Sequence, residues 1–392
     1  MAGPGGVSRW TERFAVASAL SMVALQVALL FDASYRLLAV VGLFGAVLPM
    51  VFGMAYLLFP SYLGRTLSTQ RLPGIHFLLT YAGTGLLVGH ELSGFRAKFL
   101  LAGALSWSLG VAVFVGALLR PVVSVIAADP SAVLPSEVGS RRSTRLATAV
   151  LPVAVGYLVV GTVALLSTAF GFSLTFEGGL PSVVHLYGAG FAALLIFALG
   201  MRLTAGFFHV TPPAGLSWLV LVCGGVAPFP LAVSFWRPPW FLVGAGLEVV
   251  AMLGYAALIG VVACRADRRR VGLYGIGLGA LGGLSAVTVS FGVVVGVIDA
   301  AAIAVHVPVV LTGFLVPTIV GYAYLFFPVT TGQFRGASER TALTTIAALG
   351  LGVTGRALGV VVGISPLRSL GAGLALLGTV GYAYLLGRRL LE

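Results

Sequence analysis

Long apolar runs separated by short polar stretches recur along the whole chain. A helix needs about 20 mostly apolar residues to cross the hydrocarbon core of a bilayer, and each run reaches that length. The pattern therefore predicts an all-α integral membrane protein with twelve transmembrane helices. We place these spans at residues 13–31, 34–60, 74–91, 96–119, 146–169, 182–209, 213–234, 240–264, 272–297, 301–328, 340–363 and 366–388.

The polar stretches between the spans are too short to hold a soluble domain. The longest connection, residues 120–145, contains prolines and many polar residues, and we expect a surface loop there. No small-residue cleavage site follows the first span, which predicts a retained helix and not a signal peptide. We therefore expect a single transmembrane domain over residues 1–392.

Spans two and ten are similar in sequence. Leu38–Gly64 aligns without gaps to His306–Gly332, and eleven of the 27 aligned positions are identical. The identities include glycines and prolines, which an apolar composition alone does not explain. Span six shares part of the pattern, because His185 and His306 each precede a glycine by fifteen residues.

Spans two, six and ten are four helices apart, which predicts three four-helix repeats in parallel orientation. A displacement of four helices preserves direction, so the repeats fit pseudo-threefold symmetry about the membrane normal and not an inverted repeat. The matched glycines Gly53, Gly200 and Gly321 permit close approach of helices, and we expect them to line one central region. The repeats are expected at about 13–119, 146–264 and 272–388.

Proline inside spans two and ten predicts kinked helices. Pro317, which aligns with Pro49, has no N–H group, so it frees a carbonyl one turn back and bends the helix. A kinked helix lined by glycine leaves room beside it for a broad, flat molecule. The competing interpretation is that these prolines and glycines only pack helices together.

The composition agrees with a membrane protein and sets its orientation. Hydrophobic residues make up 59% of the chain and charged residues 9%, whereas soluble domains carry roughly 25% charged residues. The net charge of +12 does not indicate nucleic-acid binding, because most of the 23 Lys and Arg residues fall on one side of the predicted topology. By the positive-inside rule, we expect a plasma-membrane protein with both termini cytoplasmic and the lipid bilayer as its partner. The loops of the other side hold only Arg36, Arg96, Lys98, Arg237 and Arg368.

The two cysteines, Cys223 and Cys264, form no CxxC motif and lie in none of the predicted outer loops. This argues against a disulfide framework and against a zinc site. We expect both side chains to serve packing.

Two histidines stand at equivalent places in two of the repeats, His185 at the start of span six and His306 at the start of span ten. Polar residues inside a membrane are functional candidates, and neutral imidazole is the commonest metal ligand. We expect His306 and His185 to converge on one metal centre, with His90 at the end of span three as a candidate third ligand. The competing interpretation is that each ring hydrogen-bonds a neighbouring helix. His76 and His209 lie toward the other face, where interfacial or helix-capping roles are expected.

Four arginines are candidates for holding an anionic group near the histidines. Arg36, Arg237 and Arg368 lie in the predicted outer loops, and Arg356 lies in the outward half of span eleven. Because guanidinium groups pair well with carboxylates, these residues are expected to bind a haem propionate or a similar group. The alternative is that they are ordinary loop arginines.

Together these features resemble subunit I of the haem-copper oxidases. The resemblance rests on twelve helices with cytoplasmic termini, on three four-helix repeats, and on the spacing of His306, Pro317 and Gly321 in span ten. It covers the topology of the whole chain, but its motifs are confined to spans two, six and ten. It implies a pseudo-threefold fold with haem and copper as cofactors.

The departures from that family exclude a complete oxidase. A working member needs six intramembrane histidines, whereas this chain has five histidines in all. Leu38 stands where a low-spin haem ligand would stand, and span seven has no His-His pair for copper. The chain is nearer to the reduced, twelve-helix NnrS-like proteins. That resemblance implies a haem- or metal-binding protein with a redox or nitric-oxide-related role, and respiratory or electron-transfer proteins as partners.

Two other functions stay open on the sequence alone. A secondary transporter or permease would also use glycine and proline in its spans. Against it, Asp32, Glu177 and Asp299 all flank helices, and we expect no carboxylate in the middle of a span. A cofactor-free structural subunit of a respiratory complex needs only the fold. Bound pigment or metal, solute flux, or co-purification with cytochromes would distinguish the three.

Overall fold

The computed structural model describes residues 5–62, 71–94, 96–128, 142–172 and 179–392. These stretches contain twelve helices long and apolar enough to cross a membrane, as the sequence predicts, and no strand. The multi-pass membrane architecture is therefore confirmed. We label the spans α1 (Arg9–Leu30), α2 (Tyr35–Leu58), α3 (Leu72–Leu92), α4 (Ala97–Leu119), α5 (Leu146–Phe170), α6 (Leu180–Phe208), α7 (Ala214–Val233), α8 (Trp240–Arg265), α9 (Val271–Val294), α10 (Ala300–Thr331), α11 (Glu339–Val361) and α12 (Ser365–Leu390).

The predicted surface loop at 120–145 is partly helical. The fourth helix continues past its apolar span to Ala128, and the fifth helix begins at Arg142. The loop prediction was therefore too long at both ends. Arg120 and Pro121 resemble the end of a helix although the helix continues through them, and the next helix begins with the polar residues 142–145. Residues 129–141 lie outside the described residues.

Helices α2, α6 and α10 form the centre of the molecule. In the apolar 18-residue core of each span, 78% of the residues of α2 and α6 and 67% of those of α10 are buried, against 33–50% in the other nine spans. The other helices surround this centre and present their remaining apolar surface outward. An even number of spans places the two chain ends on one face, here named the termini face. The three central helices begin at the other face, here named the opposite face.

The same neighbours recur in each set of four helices. The first helix packs on the second in α1–α2, α5–α6 and α9–α10, and the third packs on the fourth in α3–α4, α7–α8 and α11–α12. The fourth helix of each set also contacts the first of the next, in α4–α5, α8–α9 and α12–α1. The last of these contacts closes the outer helices into a ring.

Each central helix contains a π-helical segment. These segments are Val40–Val47 in α2, Leu186–Ala193 in α6 and Val310–Leu315 in α10. In the alignment of the three spans, the segments end within one residue of each other. Because π-helical turns are rare and widen the helix, their common position is a structural feature that the three spans share beyond their sequence similarity.

Side chains from neighbouring helices satisfy the carbonyls that the π segment and Pro49 leave without a helical partner. Thr84 of α3 donates to the Phe44 carbonyl (3.1 Å), and Tyr81 donates to the Gly45 carbonyl (3.3 Å). Ser18 of α1 donates to the next carbonyl in α2. Unpaired backbone groups are costly inside a membrane, so these three hydroxyls make the distortion of α2 tolerable.

The matched glycines are buried, as expected for residues that do not face lipid, but they do not share one central space. A Cβ on Gly53 would meet Phe14 of α1 at 2.6 Å, and one on Gly321 would meet the Gly272 carbonyl of α9 at 2.5 Å. These two glycines therefore pack the central helix against the preceding helix of its own set. Gly200 instead faces Tyr322 of α10, whose hydroxyl would lie 2.7 Å from a Cβ on this glycine.

Candidate ligand site between the sixth and tenth helices

A cavity of about 430 Å³ lies in the half of the protein near the opposite face. Residues of α6, α8, α9 and α10 form most of its wall, and α2 and α7 contribute the rest. The lining is largely apolar, with a small number of polar side chains. Ligand sites typically occupy roughly 300–1,000 Å³ and combine apolar walls with a few polar groups, so this cavity is the candidate functional site.

His185 and His306 both line this cavity. His185 lies six residues into α6, directly before its π segment, and His306 lies seven residues into α10, four residues before its π segment. Both rings are therefore in the half of their helix near the opposite face. The two imidazoles are close enough to interact electrostatically. The structure therefore brings together the two histidines that the sequence placed at equivalent repeat positions.

A backbone carbonyl lies beside the Nδ1 atom of each ring. The Nδ1–H group of His185 donates to the Pro181 carbonyl at 2.8 Å, and that of His306 makes a long contact of 3.5 Å with the Ala286 carbonyl. A carbonyl can only accept, so Nδ1 of His185 carries a proton, and the longer contact of His306 favours the same arrangement; in the neutral ring Nε2 then keeps its lone pair. Neither Nε2 has a hydrogen-bond partner in the described part of the chain. Such a carbonyl contact to Nδ1 is how proteins commonly orient a metal-binding histidine.

Glu248 of α8 also lines the cavity, and its Oε2 atom is buried without a hydrogen-bond partner among the described residues. The expectation that no span carries a carboxylate away from its ends is therefore wrong. The signal was present in the sequence as a single acidic residue inside an apolar run. A carboxylate in this position has no structural partner to account for it, and intramembrane ionisable groups are functional candidates.

The polar groups that face the cavity are mainly hydrogen-bond acceptors. Both Nε2 atoms accept, and the Glu248 carboxylate accepts in its ionised form. The hydroxyl of Ser290 is already used, because it donates to the carbonyls of Ala286 and Val287 (2.9 and 3.1 Å). The site is thus suited to a ligand that carries positive charge or a metal ion.

Three aromatic side chains cover the cavity at the opposite face. Phe235, Trp236 and Phe241 line it from the α7–α8 connection and the start of α8. The rings of Trp236 and Phe241 stack with their centroids 5.2 Å apart, and Phe235 lies 5.7 Å from the ring of His185. Trp236 has a φ of 58°, a left-handed conformation unusual for a bulky residue.

The remaining histidines lie elsewhere. His90 donates from Nδ1 to the Arg96 carbonyl at 3.1 Å and does not line the cavity. Within the described ranges, no three His, Cys, Asp or Glu side chains are arranged to hold a metal ion. The structure therefore does not bring His90 to His185 and His306.

His76 is not at an interface. It is fully buried, its Nδ1 lies 2.9 Å from the Tyr56 hydroxyl, and the rings of Phe14, Phe52 and Phe114 surround it at 4.7–5.3 Å. The interfacial role predicted for His76 is wrong, because the start of α3 is covered by α1, α2 and α4. His209 does end α6 in a left-handed conformation (φ 55°), as a capping residue would.

Two of the four candidate arginines bind an aspartate of the protein. Asp32 accepts from Arg368 at 2.7 Å and from Arg356 at 3.3 Å. Arg36 lies over the ring of Tyr35, which lines the cavity, with 5.9 Å between its Cζ atom and the ring centroid. Arg237 directly follows Trp236 at the cavity mouth. Arg36 and Arg237 thus each follow a residue that lines the cavity, whereas Arg356 and Arg368 are paired with Asp32.

The cysteines are both free. Cys223 is buried in α7, in agreement with a packing role, whereas Cys264 is exposed at the termini-face end of α8. The packing prediction therefore holds for Cys223 only.

Neither a scan of protein-family models nor a search of curated proteins finds a match for this chain. The resemblance to haem-copper oxidase subunit I therefore stays a prediction from the sequence.

Proposed function

We propose that this membrane protein binds a metal-centred cofactor, haem or copper, in the cavity between α6 and α10, with His306 and His185 as its ligands. The observation that carries the proposal is that two histidines from equivalent repeat positions line one largely apolar cavity. In each neutral ring, the carbonyl beside Nδ1 favours the tautomer in which Nε2 is unprotonated, and neither Nε2 has a partner among the described residues. Metal ligation requires that protonation state.

The other lining groups fit such a cofactor. The apolar and aromatic wall suits the flat face of a macrocycle, and Glu248 supplies negative charge to a bound cation. Arg36 and Arg237 at the opposite face are the residues that would pair with anionic substituents. Arg356 and Arg368 are excluded from that role while they bind Asp32. When bound, the metal would supply redox or gas-binding chemistry. The protein would hold it and exclude water.

We also propose that the fold is the three-repeat, pseudo-threefold arrangement of the haem-copper oxidase subunit. The recurrent helix contacts and the three aligned π segments support it. The tyrosines that match in the repeats agree as well. Tyr56 of α2 contacts His76 of α3, and Tyr324 of α10 contacts Thr345 of α11 at 2.7 Å. Haem or copper bound within this fold would give the protein a redox or nitric-oxide-related role.

His306→Leu tests the proposal directly. Leucine is the residue at the aligned position of α2, where Leu38 is buried, so the variant is expected to fold. Purified parent protein should show Soret absorbance or stoichiometric copper, and His306→Leu and His185→Leu should lose it. His209→Leu, at the exposed end of α6, is the matched control and should keep full cofactor content.

A parent protein without Soret absorbance and without bound iron or copper would overturn the proposal. Equal cofactor content in His306→Leu and parent would remove His306 from the ligand set. Both measurements report on bound cofactor and need no assumption about the reaction.

The second candidate function is transport, and Glu248 is the observation that favours it. A buried carboxylate without a partner beside an aromatic-covered cavity is suited to carry a proton or bind a cationic solute. In proteoliposomes, a proton-coupled transporter should show solute flux that Glu248→Gln abolishes. Flux in parent protein that contains no metal would rank this function above the first.

A further inference from the structure

A second cavity lies on the axis of the three central helices. It has a volume of about 90 Å³ and is lined by α2, α6 and α10 alone, with Met50 and Met54, Ile196 and Gly200, and Ile319 and Tyr322 as representative residues of the three walls. We name it the axial cavity. It begins near the middle of the membrane and extends toward the termini face.

Almost every group that lines the axial cavity is apolar. Only two of its side chains carry a hydroxyl. Thr318 donates its own to the Phe314 carbonyl at 2.7 Å, and the Tyr322 hydroxyl lies against Gly200 at the wall of α6. A water molecule needs two to four polar partners to occupy an internal site, whereas apolar cavities stay dry. With one threonine and one tyrosine among its lining residues, the axial cavity offers water few of the polar partners that it needs.

The space is suited to small polarisable molecules. A dry apolar cavity of about 150 Å³ in another protein binds benzene or xenon, and about 90 Å³ is large enough for a monatomic or diatomic gas but not for an organic cofactor. Binding here would depend on dispersion contacts with the surrounding methyl, thioether and ring carbons, which are individually weak and collectively large. Two methionine sulfurs add polarisability to one wall.

The axial cavity is adjacent to the histidine-lined cavity. Along α6, Ala193 lines the histidine-lined cavity and Ala192 the axial one. Along α10, Leu315 lines the first and Thr318 the second. About one helical turn thus separates the two spaces along α10. A molecule in the axial cavity is consequently at the inner end of the candidate cofactor site.

We infer that the axial cavity is a binding site for a small apolar gas, of the size of dioxygen or nitric oxide. The site is independent of any cofactor, since its walls contain no ligand residue. If a metal is bound in the histidine-lined cavity, the axial cavity holds a gaseous reactant close to that metal. Only this role beside a metal rests on the proposed function.

Xenon under pressure tests the inference in crystals of the purified protein. An anomalous difference peak is expected between Met50, Ile196 and Ile319. Ala323→Leu adds volume inside the axial cavity and should remove the peak. Ile319→Ala enlarges the cavity and should strengthen it. Ala245→Leu is the matched control, because Ala245 lines the histidine-lined cavity, and it should leave the xenon peak unchanged.

Absence of a xenon peak in the parent protein would overturn the inference, and so would an equal peak in Ala323→Leu. Electron density for a lipid chain filling the axial cavity would also overturn it. If Ala323→Leu does not fold, Ile319→Ala decides the question, since an unchanged peak in that variant contradicts the assignment. None of these outcomes depends on whether metal is bound, so failure of the proposed function would be seen separately.

Discussion

The two sides of α6 differ in how they meet their neighbours. On one side, Tyr187 is completely buried against Trp107 of α4 and Phe44 of α2. On the other side, His185 and Gly188 face the histidine-lined cavity. Both sides belong to the same helix at the same depth. Together with the residues of the neighbouring helices that face them, we call them the packed side and the open side.

The packed side is also fully hydrogen-bonded. The Trp107 indole donates to the Tyr187 hydroxyl at 3.1 Å, and Tyr187 pairs with Thr162 at 2.8 Å. Thr162 donates in turn to the Leu158 carbonyl. The open side contains polar groups whose cavity-facing atoms have no partner in the described chain. Where Tyr187 and His185 lie on α6, the packed side thus joins its polar groups to one another, whereas the polar groups of the open side remain available to a ligand.

Trp107→Ala should have the largest effect. It removes the largest side chain of the packed side and one hydrogen bond, and we expect a loss of about 3–5 kcal/mol in the free energy of unfolding. The measurement is an SDS titration in mixed micelles followed by circular dichroism. His306→Leu on the open side is the control, and a comparable loss there would contradict the distinction between the two sides.

Two glycines of the α6 π segment should respond in opposite directions to alanine. A Cβ on Gly190 would lie 2.5 Å from the Tyr157 ring, whereas a Cβ on Gly188 would meet nothing within 4 Å. Gly190→Ala should destabilise by about 1–3 kcal/mol through overpacking, and Gly188→Ala should stabilise by about 0.5–1 kcal/mol because alanine loses less backbone entropy. The same titration measures both, and a shared sign would contradict the assignment of the faces.

Thr162→Val tests how much the hydrogen bonds of the packed side contribute to stability. The substitution keeps the shape of the side chain and leaves the Tyr187 hydroxyl without its acceptor. A buried donor left without an acceptor costs about 1–3 kcal/mol. If Thr162→Val is as stable as the parent protein, the hydrogen bonds of the packed side contribute nothing measurable.

Ser290→Ala on the open side should have the smallest effect. Its hydroxyl bonds only carbonyls of its own helix, which already have helical partners, so such back-bonding adds little to stability. We expect a change within about 0.5 kcal/mol, the range of substitutions away from critical contacts. A loss equal to that of Thr162→Val would show that the open side is also held by side-chain hydrogen bonds.

The sequence predicted the parts of the structure that follow from local pattern. Twelve apolar runs are sufficient for twelve spans, and the alignment of α2 with α10 located the distorted central helices. The π segments themselves were not predicted, because their register depends on which neighbouring hydroxyls, such as those of Ser18 and Thr84, reach the freed carbonyls.

The candidate site was predicted in part. His185 and His306 were found because equal spacing in two repeats places them at equal depth. Glu248 was overlooked, although it is a single acidic residue inside an apolar run and is therefore visible in the sequence. The engagement of Arg356 and Arg368 by Asp32 joins residues more than 300 positions apart, and a pairing over that separation leaves no local signal.

That pairing has a consequence for how the protein is made. Asp32 lies in the connection between the first two helices, while its two partners lie in the last two. Chains are synthesised from the N-terminus, so Asp32 is inserted long before either arginine exists. The α1–α12 contact, and with it the closed ring of outer helices, can therefore form only after α11 and α12 have been synthesised. Until then Asp32 has neither of the two arginines that neutralise it, and Arg356 in turn gains its carboxylate partner only when α11 packs near the first connection.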